Sequence, residues 1–220
     1  MMVEFMPVYV DAIIFRFHKD ELQVRLAKRS ESNKRLPGVT ALEGVIIKPQ
    51  QDANEREALN RLFIEKIGLT PTYVEQLPAS ANATRDTDGY SCCIPFLVLV
   101  ESSLNDEHGI WQPVDNFLTA DDSALPFDHV RLIKMAFEVL YNKSGYTDIP
   151  LKLLEQPFRF SDIRKAFKAV LKTDLNRMTI KRRILPILKT IEDADKSKRD
   201  APIYVRAKPE LFYFKNANNV

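Results

Sequence analysis

The chain has 220 residues, a formal net charge of +2 and 45% apolar residues, enough to build one or two cores. Its two cysteines, Cys92 and Cys93, are adjacent in an apolar run, which excludes a disulfide-stapled secreted domain and predicts reduced packing residues. No segment has the pattern of a signal peptide, and no apolar stretch reaches the roughly 20 residues that span a bilayer, so we expect a cytoplasmic protein without a membrane partner.

The charge is divided unevenly along the chain. Residues 151–220 hold 17 Lys and Arg against 8 Asp and Glu, a net charge of +9, whereas residues 1–150 hold 15 against 22, a net charge of −7. A basic segment of this kind predicts a polyanionic partner, and nucleic acid is the first candidate. The alternative is a Lys-rich surface that is merely solvated.

The first part of the chain alternates strand and helix patterns. Apolar runs at 8–17 and 22–29 flank a polar turn and predict a β-hairpin. Residues 54–67 predict an amphipathic helix that Asn54 caps and Gly68 ends. Further strands are predicted at 41–47, 72–76, 91–101 and 110–113.

A second helix is predicted at 127–141, where apolar residues recur every three or four positions. Residues 142–150 follow as a linker, because they contain Gly145 and Pro150. The order of these elements predicts an α+β fold whose first domain is a sandwich of about 140 residues.

The first helix carries a degenerate sequence motif. Arg61, Glu65 and Gly68 resemble the end of a Nudix box, G-x5-E-x7-R-E-U-x-E-E-x-G-U, in which U is a bulky apolar residue. Leu62 and Lys66 occupy positions where that pattern has Glu. Since magnesium needs several oxygen ligands, one carboxylate beside a lysine is a poor site, and we predict neither a metal ligand nor a catalytic residue. The alternative is an ordinary amphipathic helix.

The upstream Glu of the pattern is also missing. Counting back from Arg61 leads to Ala53, and counting forward from Gly44 leads to Gln50. The two counts disagree because the segment between Gly44 and Arg61 is three residues longer than the pattern.

The basic segment predicts a winged helix-turn-helix. A helix at 160–171 is followed by a turn and by a second helix that Asn176 caps, and a strand is predicted at 203–206. In this fold the second helix enters the major groove of DNA and the hairpin rests on the adjacent backbone. The buried side of the second helix is predicted to comprise Ile180, Ile184, Ile187 and Ile191, although Pro186 should kink or end it.

Basic residues of the second helix and of the wing are the candidates for contacting DNA. Thr179, Arg182 and Arg183 should project opposite the isoleucines, whereas Arg177 and Lys181 lie nearer the apolar border and suit phosphates. Base reading and phosphate contact are not separated by the sequence. The DNA-binding candidates are Arg177, Thr179, Lys181, Arg182, Arg183, Lys196, Lys198 and Arg199.

Taken together, the two halves resemble the NrtR family of Nudix-related transcriptional regulators. The matching pieces are Val10-Asp11-Ala12-Ile13-Ile14-Phe15, Lys28-Arg29, the 61–69 segment, Tyr73-Val74-Glu75-Gln76-Leu77, Arg85-Asp86, Leu125-Pro126-Phe127-Asp128-His129, Lys181-Arg182-Arg183 and Tyr204. The chain departs from the family at Glu43, where Gly is usual, and at Arg199-Asp200-Ala201-Pro202, where the wing usually reads Gly-Arg-Pro-Ala.

The resemblance implies a fold and a function. The fold is an N-terminal Nudix-like α/β/α sandwich at 1–145 and a C-terminal winged helix-turn-helix at 150–220. The function is a dimeric repressor or activator that binds a double-stranded DNA operator and senses a small-molecule effector. In the family that effector is commonly ADP-ribose or a related nucleotide and in some branches a sugar, with a link to NAD metabolism; no cofactor is implied.

The candidate effector-binding residues are Arg29, Glu65, Arg85, Asp86 and Tyr90. Arginine offers a planar fork to phosphate and tyrosine a face to a base. Two alternatives stay open. Arg85 and Asp86 can form a local ion pair in a polar loop, and Asp128 and His129 can be a helix cap with a packed histidine or an acid-base pair.

Two functions follow from these patterns. The first is a ligand-responsive regulator of transcription. The second is a magnesium-dependent Nudix hydrolase of ADP-ribose or a similar nucleoside diphosphate, in which the C-terminal domain serves dimerisation and Glu65 is a remnant of the metal site. The regulator is favoured, since it accounts for both the lost carboxylates and the basic segment.

Overall fold

The computed structural model describes residues 6–32, 36–86, 89–101, 106–191 and 202–214. The chain divides into two units. The first comprises Met1–Arg16, Gln23–Val100 and Leu104–Phe137, and the second comprises Phe17–Leu22, Glu101–Ser103 and Glu138–Val220. The domain limits predicted from the sequence, 1–145 and 150–220, stay predictions. Within the described segments no helix is long and apolar enough to cross a membrane.

The predicted N-terminal hairpin is present. Strands β1 (Val8–His18) and β2 (Glu21–Lys28) are joined by Lys19 and Asp20, whose φ angles of 51° and 66° are both positive. Two central residues with positive φ match the right-handed twist of the paired strands, as in a type I′ turn. Two short strands follow, β3 (Thr40–Ala41) and β4 (Glu43–Ile46), where one strand was predicted.

Helix α1 (Glu55–Leu62) begins where the sequence predicted. The Asn54 side chain accepts hydrogen bonds from the amides of Arg56 and Glu57, which satisfies two of the free donors of the first turn. The helix then widens into a π-helical turn, Phe63–Ile67, and Gly68 ends it with a φ of 72°. Its buried side packs in one core with residues of β1 and β4 and with Phe96 and Val98 further along the chain.

The remaining strands complete a mixed sheet. They are β5 (Tyr73–Gln76), β6 (Ser80–Asp86), β7 (Gly89–Leu99) and β8 (Ile110–Pro113). The order is β3-β2-β1-β7-β5, with β4 also on β1, β6 on β7 and β8 on β2. Strand β7 runs parallel to β1, and its residues from Pro95 onward are buried on both faces. Helices on this sheet confirm the predicted α+β class.

Strand β6 was not predicted, because its sequence, Ser-Ala-Asn-Ala-Thr-Arg-Asp, contains none of the large apolar residues that mark a strand. It pairs antiparallel with β7, and its last two residues, Arg85 and Asp86, are buried. The interpretation of these two residues as part of a polar loop is therefore wrong.

Two helices follow β8. Helix α2 (Asp115–Leu118) is short, and helix α3 (His129–Tyr146) extends five residues past its predicted end. The predicted linker at 142–150 is wrong, since the helix runs on to Tyr146 and a 3-10 turn, Ile149–Leu153, follows. The hydroxyls of Ser144 and Thr147 donate to carbonyls one turn earlier, at Leu140 and Lys143.

The second unit has the element order of a winged helix-turn-helix. Strand β9 (Phe158–Arg159) leads into helices α4 (Phe160–Leu171) and α5 (Arg177–Ile184), and strands β10 (Leu188–Ile191) and β11 (Ile203–Arg206) follow. The three strands form an antiparallel sheet in the order β10-β11-β9. The helix at 160–171, the helix that Asn176 caps and the strand at 203–206 are all present where the sequence predicted them.

One prediction for this unit is wrong. Ile187 and Ile191 do not continue the buried face of α5, because the helix ends at Ile184 and Pro186 lies in a 3-10 turn. Ile191 lies on β10 and is 43% exposed. Proline lacks the amide proton that the next helical turn needs, so the helix ends here. The isoleucine spacing continues in the sequence beyond this end and was therefore misleading.

A buried ion pair joins strand β11 to the segment just after α3. The Asp148 carboxylate accepts hydrogen bonds from Arg206 at 2.9 Å and from the amide of Phe212 at 2.8 Å. The two charged side chains are only 1% and 6% exposed. Loss of one partner would leave a buried charge without its counter-ion.

We predict that Asp148→Ala lowers the free energy of unfolding of the second unit by about 3 kcal/mol, because it strands the Arg206 guanidinium. Amide hydrogen exchange in β11 measures this loss. The control is Asp174→Ala, which removes an ion pair with Arg164 whose side chains are 50% and 38% exposed. That change should cost less than about 1 kcal/mol, and equal protection of β11 in the two variants would contradict the prediction.

Candidate functional site

The first unit contains a cavity of about 740 Å³ beside helix α1. Its walls come from β1, β2, β4, α1 with its π-helical turn, the end of β6 and the start of α3. This volume lies within the range of small-molecule sites. The titratable residues that line it are Tyr9, Asp11, Lys28, Arg29, Glu43, Lys48, Arg61, Glu65, Lys66, Arg85, Asp86 and His129.

Four of the five candidate effector-binding residues meet at this cavity. Arg29, Glu65, Arg85 and Asp86 line it. The fifth, Tyr90, is 57% exposed and lies outside the lining. The Arg29 guanidinium lies 5.2 Å from the centre of the Phe127 ring, a cation–π distance that fixes it at the rim.

A buried guanidinium forms part of the cavity wall. Arg85 donates to Asp11 on β1 at 3.0 Å and to Asp128, just before α3, at 3.1 Å. These partners are far from Arg85 in sequence, so the alternative of a local Arg85–Asp86 pair is not what holds this side chain. Buried in this way, Arg85 joins three segments of the chain through two charge-assisted hydrogen bonds.

Asp128 is held by more than Arg85. Its carboxylate also accepts hydrogen bonds from Ser80 at 2.8 Å and from Arg131 at 2.8 Å. Burial alone would raise the pKa of Asp128, but these hydrogen bonds and the charge of Arg85 hold it below the usual range for an aspartate. The carboxylate therefore stays ionised and joins β6 to the start of α3.

His129 is a packed histidine. It is 3% exposed, and its Nδ1 accepts a hydrogen bond from the Leu42 amide at 3.1 Å. Burial lowers the pKa of His129, so the imidazole is neutral at physiological pH. Of the two interpretations of this residue, these contacts favour packing over acid-base chemistry.

The cysteines are unpaired, as the sequence predicted. Cys93 is fully buried on β7, and its thiol donates to Asp11 at 2.9 Å. Burial raises the pKa of Cys93, which keeps it a protonated donor.

An ion pair anchors the segment that resembles a Nudix box. Arg61 makes two hydrogen bonds of 2.8 Å to the Asp52 carboxylate and a third, of 2.9 Å, to the carbonyl of Ile46. The hydrogen bonds from Arg61, with a further one from the Lys48 amide, lower the pKa of Asp52 to about 2. Arg61 is thus fixed between helix α1 and the chain that follows β4.

Sequence reasoning missed Asp52. The two counts for the upstream acid of the motif led to Gln50 and Ala53, and Asp52 lies between them. Asp52 is a carboxylate within the segment between Gly44 and Arg61, and this was the available signal. To use it, one must know where the three extra residues of that segment lie, and only the path of the loop shows this.

Gly44 is required by a close approach. A Cβ atom at this position would lie 2.0 Å from Oδ1 of Asp11, so no other residue fits without displacing that carboxylate. The Gly44 carbonyl accepts a hydrogen bond from Nζ of Lys66 at 3.1 Å. The residue that replaces a Nudix glutamate therefore places an ammonium group on the cavity rim.

The acids of the cavity do not assemble a metal site. Glu65 is 3.6 Å from Arg61, and Glu43 contacts the buried Arg25 guanidinium. Within the described ranges there is no group of three or more His, Cys, Asp or Glu that could hold a metal ion. Six arginine and lysine residues line the cavity against four aspartate and glutamate residues, an excess of positive charge that suits an anionic ligand.

The second candidate surface is helix α5. Arg177 and Arg182 are exposed, and Thr179 and Lys181 are half-buried. Arg177 and Lys181 lie 5.8 and 5.7 Å from the centre of the Phe160 ring, which orients both cations. Among residues with described positions, none of the cations of α5 lies within ion-pair distance of a carboxylate.

Arg183 differs from its neighbours. It was predicted to project away from the core, yet it is half-buried: Nη1 donates to the carbonyl of Gly145 at 3.3 Å, and the guanidinium lies 5.4 Å from the Phe214 ring centre. Burial lowers the pKa of Arg183. It faces inward because it follows Ile180 by three positions, on an adjacent part of the helix surface. The wing candidates Lys196, Lys198 and Arg199 lie outside the described residues.

Comparison with known proteins gives relatives along nearly the whole chain, although no family model matches it. The chain is 29% identical over 205 residues to the ADPR responsive transcriptional repressor NtrR of Acinetobacter baylyi, covering 89% of this chain and 80% of the relative. It is similar in structure to Shewanella oneidensis NrtR complexed with a 27mer DNA, with a TM-score of 0.77, 27% identity, and 92% and 94% of the two chains covered.

A third comparison concerns the first part of the chain alone. The NUDIX domain of Shewanella oneidensis NrtR complexed with ADP ribose matches with a TM-score of 0.54 and 29% identity, covering 63% of this chain and 90% of that domain. The resemblance inferred from the sequence is confirmed by these relatives.

The buried neutral state of His129 makes stability depend on pH. Because burial lowers its folded pKa, the unfolded state binds the proton more tightly, so its contribution is complete above the unfolded pKa and is lost as pH falls. We predict that the free energy of unfolding decreases from about pH 7 to about pH 5 more steeply in the wild type than in His129→Asn. Asparagine keeps an acceptor for the Leu42 amide and does not titrate. Chemical unfolding across this range checks it, and parallel curves would refute it.

Proposed function

We propose that the chain, which resembles the NrtR regulators along nearly its whole length, is a transcriptional repressor that binds DNA and responds to a small effector. The observation that carries the proposal is the set of cations on α5 that have no carboxylate partner among the described residues. Such a surface is electrostatically complementary to the phosphates of a duplex. A repressor works where the DNA lies, so a cytoplasmic location is part of the proposal.

The DNA-binding residues proposed are Arg177, Thr179, Lys181 and Arg182 of α5, together with Lys196, Lys198 and Arg199 of the wing. Met178, which is 69% exposed, lies on the same short helix and adds an apolar contact. Two copies of the chain would present two such helices to a pseudo-palindromic operator. Arg183 positions α5 through Gly145 and Phe214 and is the weakest candidate for touching DNA.

The effector proposed is ADP-ribose or a related nucleotide. Support comes from the name of the Acinetobacter baylyi relative, which is ADPR responsive, and from the Shewanella oneidensis domain solved with ADP ribose. The cavity is large enough for a dinucleotide-sized ligand and carries cations for a diphosphate. Arg29, Glu65, Arg85 and Asp86 are the proposed contacts, and Tyr90, which is exposed outside the cavity lining, is the least supported of the five candidates.

Hydrolysis is the second candidate function, because Glu65 remains at the cavity and its side chain is 52% exposed. A magnesium-dependent hydrolase needs further oxygen ligands near this carboxylate. The carboxylates of Asp11 and Glu43 are instead paired with Arg85 and Arg25. We therefore propose a sensor without catalytic residues.

We predict that the protein binds a fragment of the intergenic DNA next to its own gene and that ADP-ribose releases it. If four or more phosphates are neutralised, affinity should fall at least about a hundredfold between 50 and 200 mM salt. Fluorescence anisotropy of the labelled fragment measures both effects, with AMP plus ribose 5-phosphate as the ligand control. An affinity for the fragment that does not change with salt would contradict the proposal of DNA binding. Magnesium-dependent formation of AMP that is lost in Glu65→Gln would support the hydrolase instead.

Neighbouring arginines on α5 should have different effects. We predict that Arg182→Ala weakens DNA binding about tenfold with little change in thermal stability, since Arg182 is exposed and makes no described ion pair. Arg183→Ala should instead lower the melting temperature, because it removes contacts with Gly145 and Phe214. Thermal unfolding and anisotropy on both variants decide this, and reversed effects would show that the assignment of the two roles is wrong.

A further inference from the structure

The rim of the cavity carries an ammonium group whose charge is not neutralised. Nζ of Lys66 donates to the carbonyl of Gly44 at 3.1 Å, and that carbonyl is neutral. No carboxylate of the described segments pairs with Lys66. A lysine held in this way has two further donor hydrogens, which are available to a ligand.

The neighbouring guanidinium groups are in a different state. Arg61 is taken up by both oxygens of Asp52, and Arg85 by Asp11 and Asp128. Each of these arginines would have to give up a charge-assisted hydrogen bond before it could bind an anion fully. Lys66 has no such bond to lose, so an arriving anion can engage it at a lower cost than either arginine.

A second lysine contributes to the lining of the same cavity. Lys48 also lines the cavity, is exposed, and has no described ion pair. Its backbone amide donates to Asp52 at 2.8 Å, so the loop that carries it is tied to the carboxylate that fixes Arg61. Two lysines of the lining are therefore carried by segments that hydrogen bonds hold in place.

Resting on the proposed function, we infer that the Lys66 ammonium, held against the Gly44 carbonyl and assisted by Lys48, receives the diphosphate of the effector, so that the effector binds without a divalent cation. A diphosphate carries about two negative charges, which proteins neutralise with a metal ion or with basic side chains. Here the carboxylates that a metal would need are paired with arginines, and the charge that a metal would supply is present on lysine.

The test measures binding of ADP-ribose and, separately, of inorganic pyrophosphate by calorimetry, each in EDTA and in excess magnesium. Wild-type affinity for both ligands should be the same within about twofold in the two buffers. Lys66→Gln should weaken both about tenfold, which is the loss of one hydrogen bond to a charged group. Lys66→Glu should bind neither ligand in EDTA and should regain part of its affinity when magnesium is added, because it places a carboxylate next to Glu65.

The control is Arg56→Glu, which makes the same change of charge on helix α1 at an exposed position outside the cavity. It should bind both ligands like the wild type. A wild type that needs magnesium, or a Lys66→Gln variant with unchanged affinity, overturns the inference while the regulator proposal stands. Binding of pyrophosphate but not of ADP-ribose supports the inference and rejects ADP-ribose as the effector, whereas binding of neither rejects both.

Discussion

One buried guanidinium organises the first unit. Arg85, at the end of β6, binds Asp11 of the central strand and Asp128 at the start of α3, and a Cys93 thiol and a Ser80 hydroxyl complete the surroundings of the two carboxylates. Three segments with no sequence proximity are held together by this charge, which would be costly to bury without both partners. The same network forms a wall of the cavity. A ligand that forms a hydrogen bond with Arg85 would therefore also change the contact between Arg85 and Asp128 at the start of α3. Through this contact, binding in the cavity can affect the position of the helix.

The chemistry of the cavity follows from how its acids are used. Guanidinium groups neutralise Asp11, Asp52 and Glu43, and a lysine stands beside Glu65. The cavity thereby acquires an electrostatic character suited to anions. In the second unit the division is similar: Arg183 and Arg206 hold the unit together, whereas Arg182 and Arg177 remain exposed. In both units, arginines with described polar or ring contacts stabilise the fold, and cations without a described carboxylate partner are available for binding.

Much of this was predictable wherever a local signal decided the structure. Asn54 and Gly68 fixed the two ends of α1, and Asn176 and Pro186 bounded α5. Prediction failed where distant contacts decide. The polar strand β6 forms because β7 and Asp128 take up its groups, the end of α3 depends on side chains that bond to carbonyls, and Arg183 turns inward because Phe214 covers it. Spacing alone placed Glu65 at the cavity but could not show that Asp52 holds Arg61.

The central claim is that the cavity and the basic helix belong to one coupled regulator. Because coupling is reciprocal, an effector that weakens DNA binding must itself bind more weakly to the DNA-bound protein, by the same factor. The most direct measurement is the affinity for ADP-ribose, determined for the free protein and for the protein saturated with its operator fragment. The account predicts a decrease of about 5- to 150-fold on the operator. Equal affinities in the two states would contradict it.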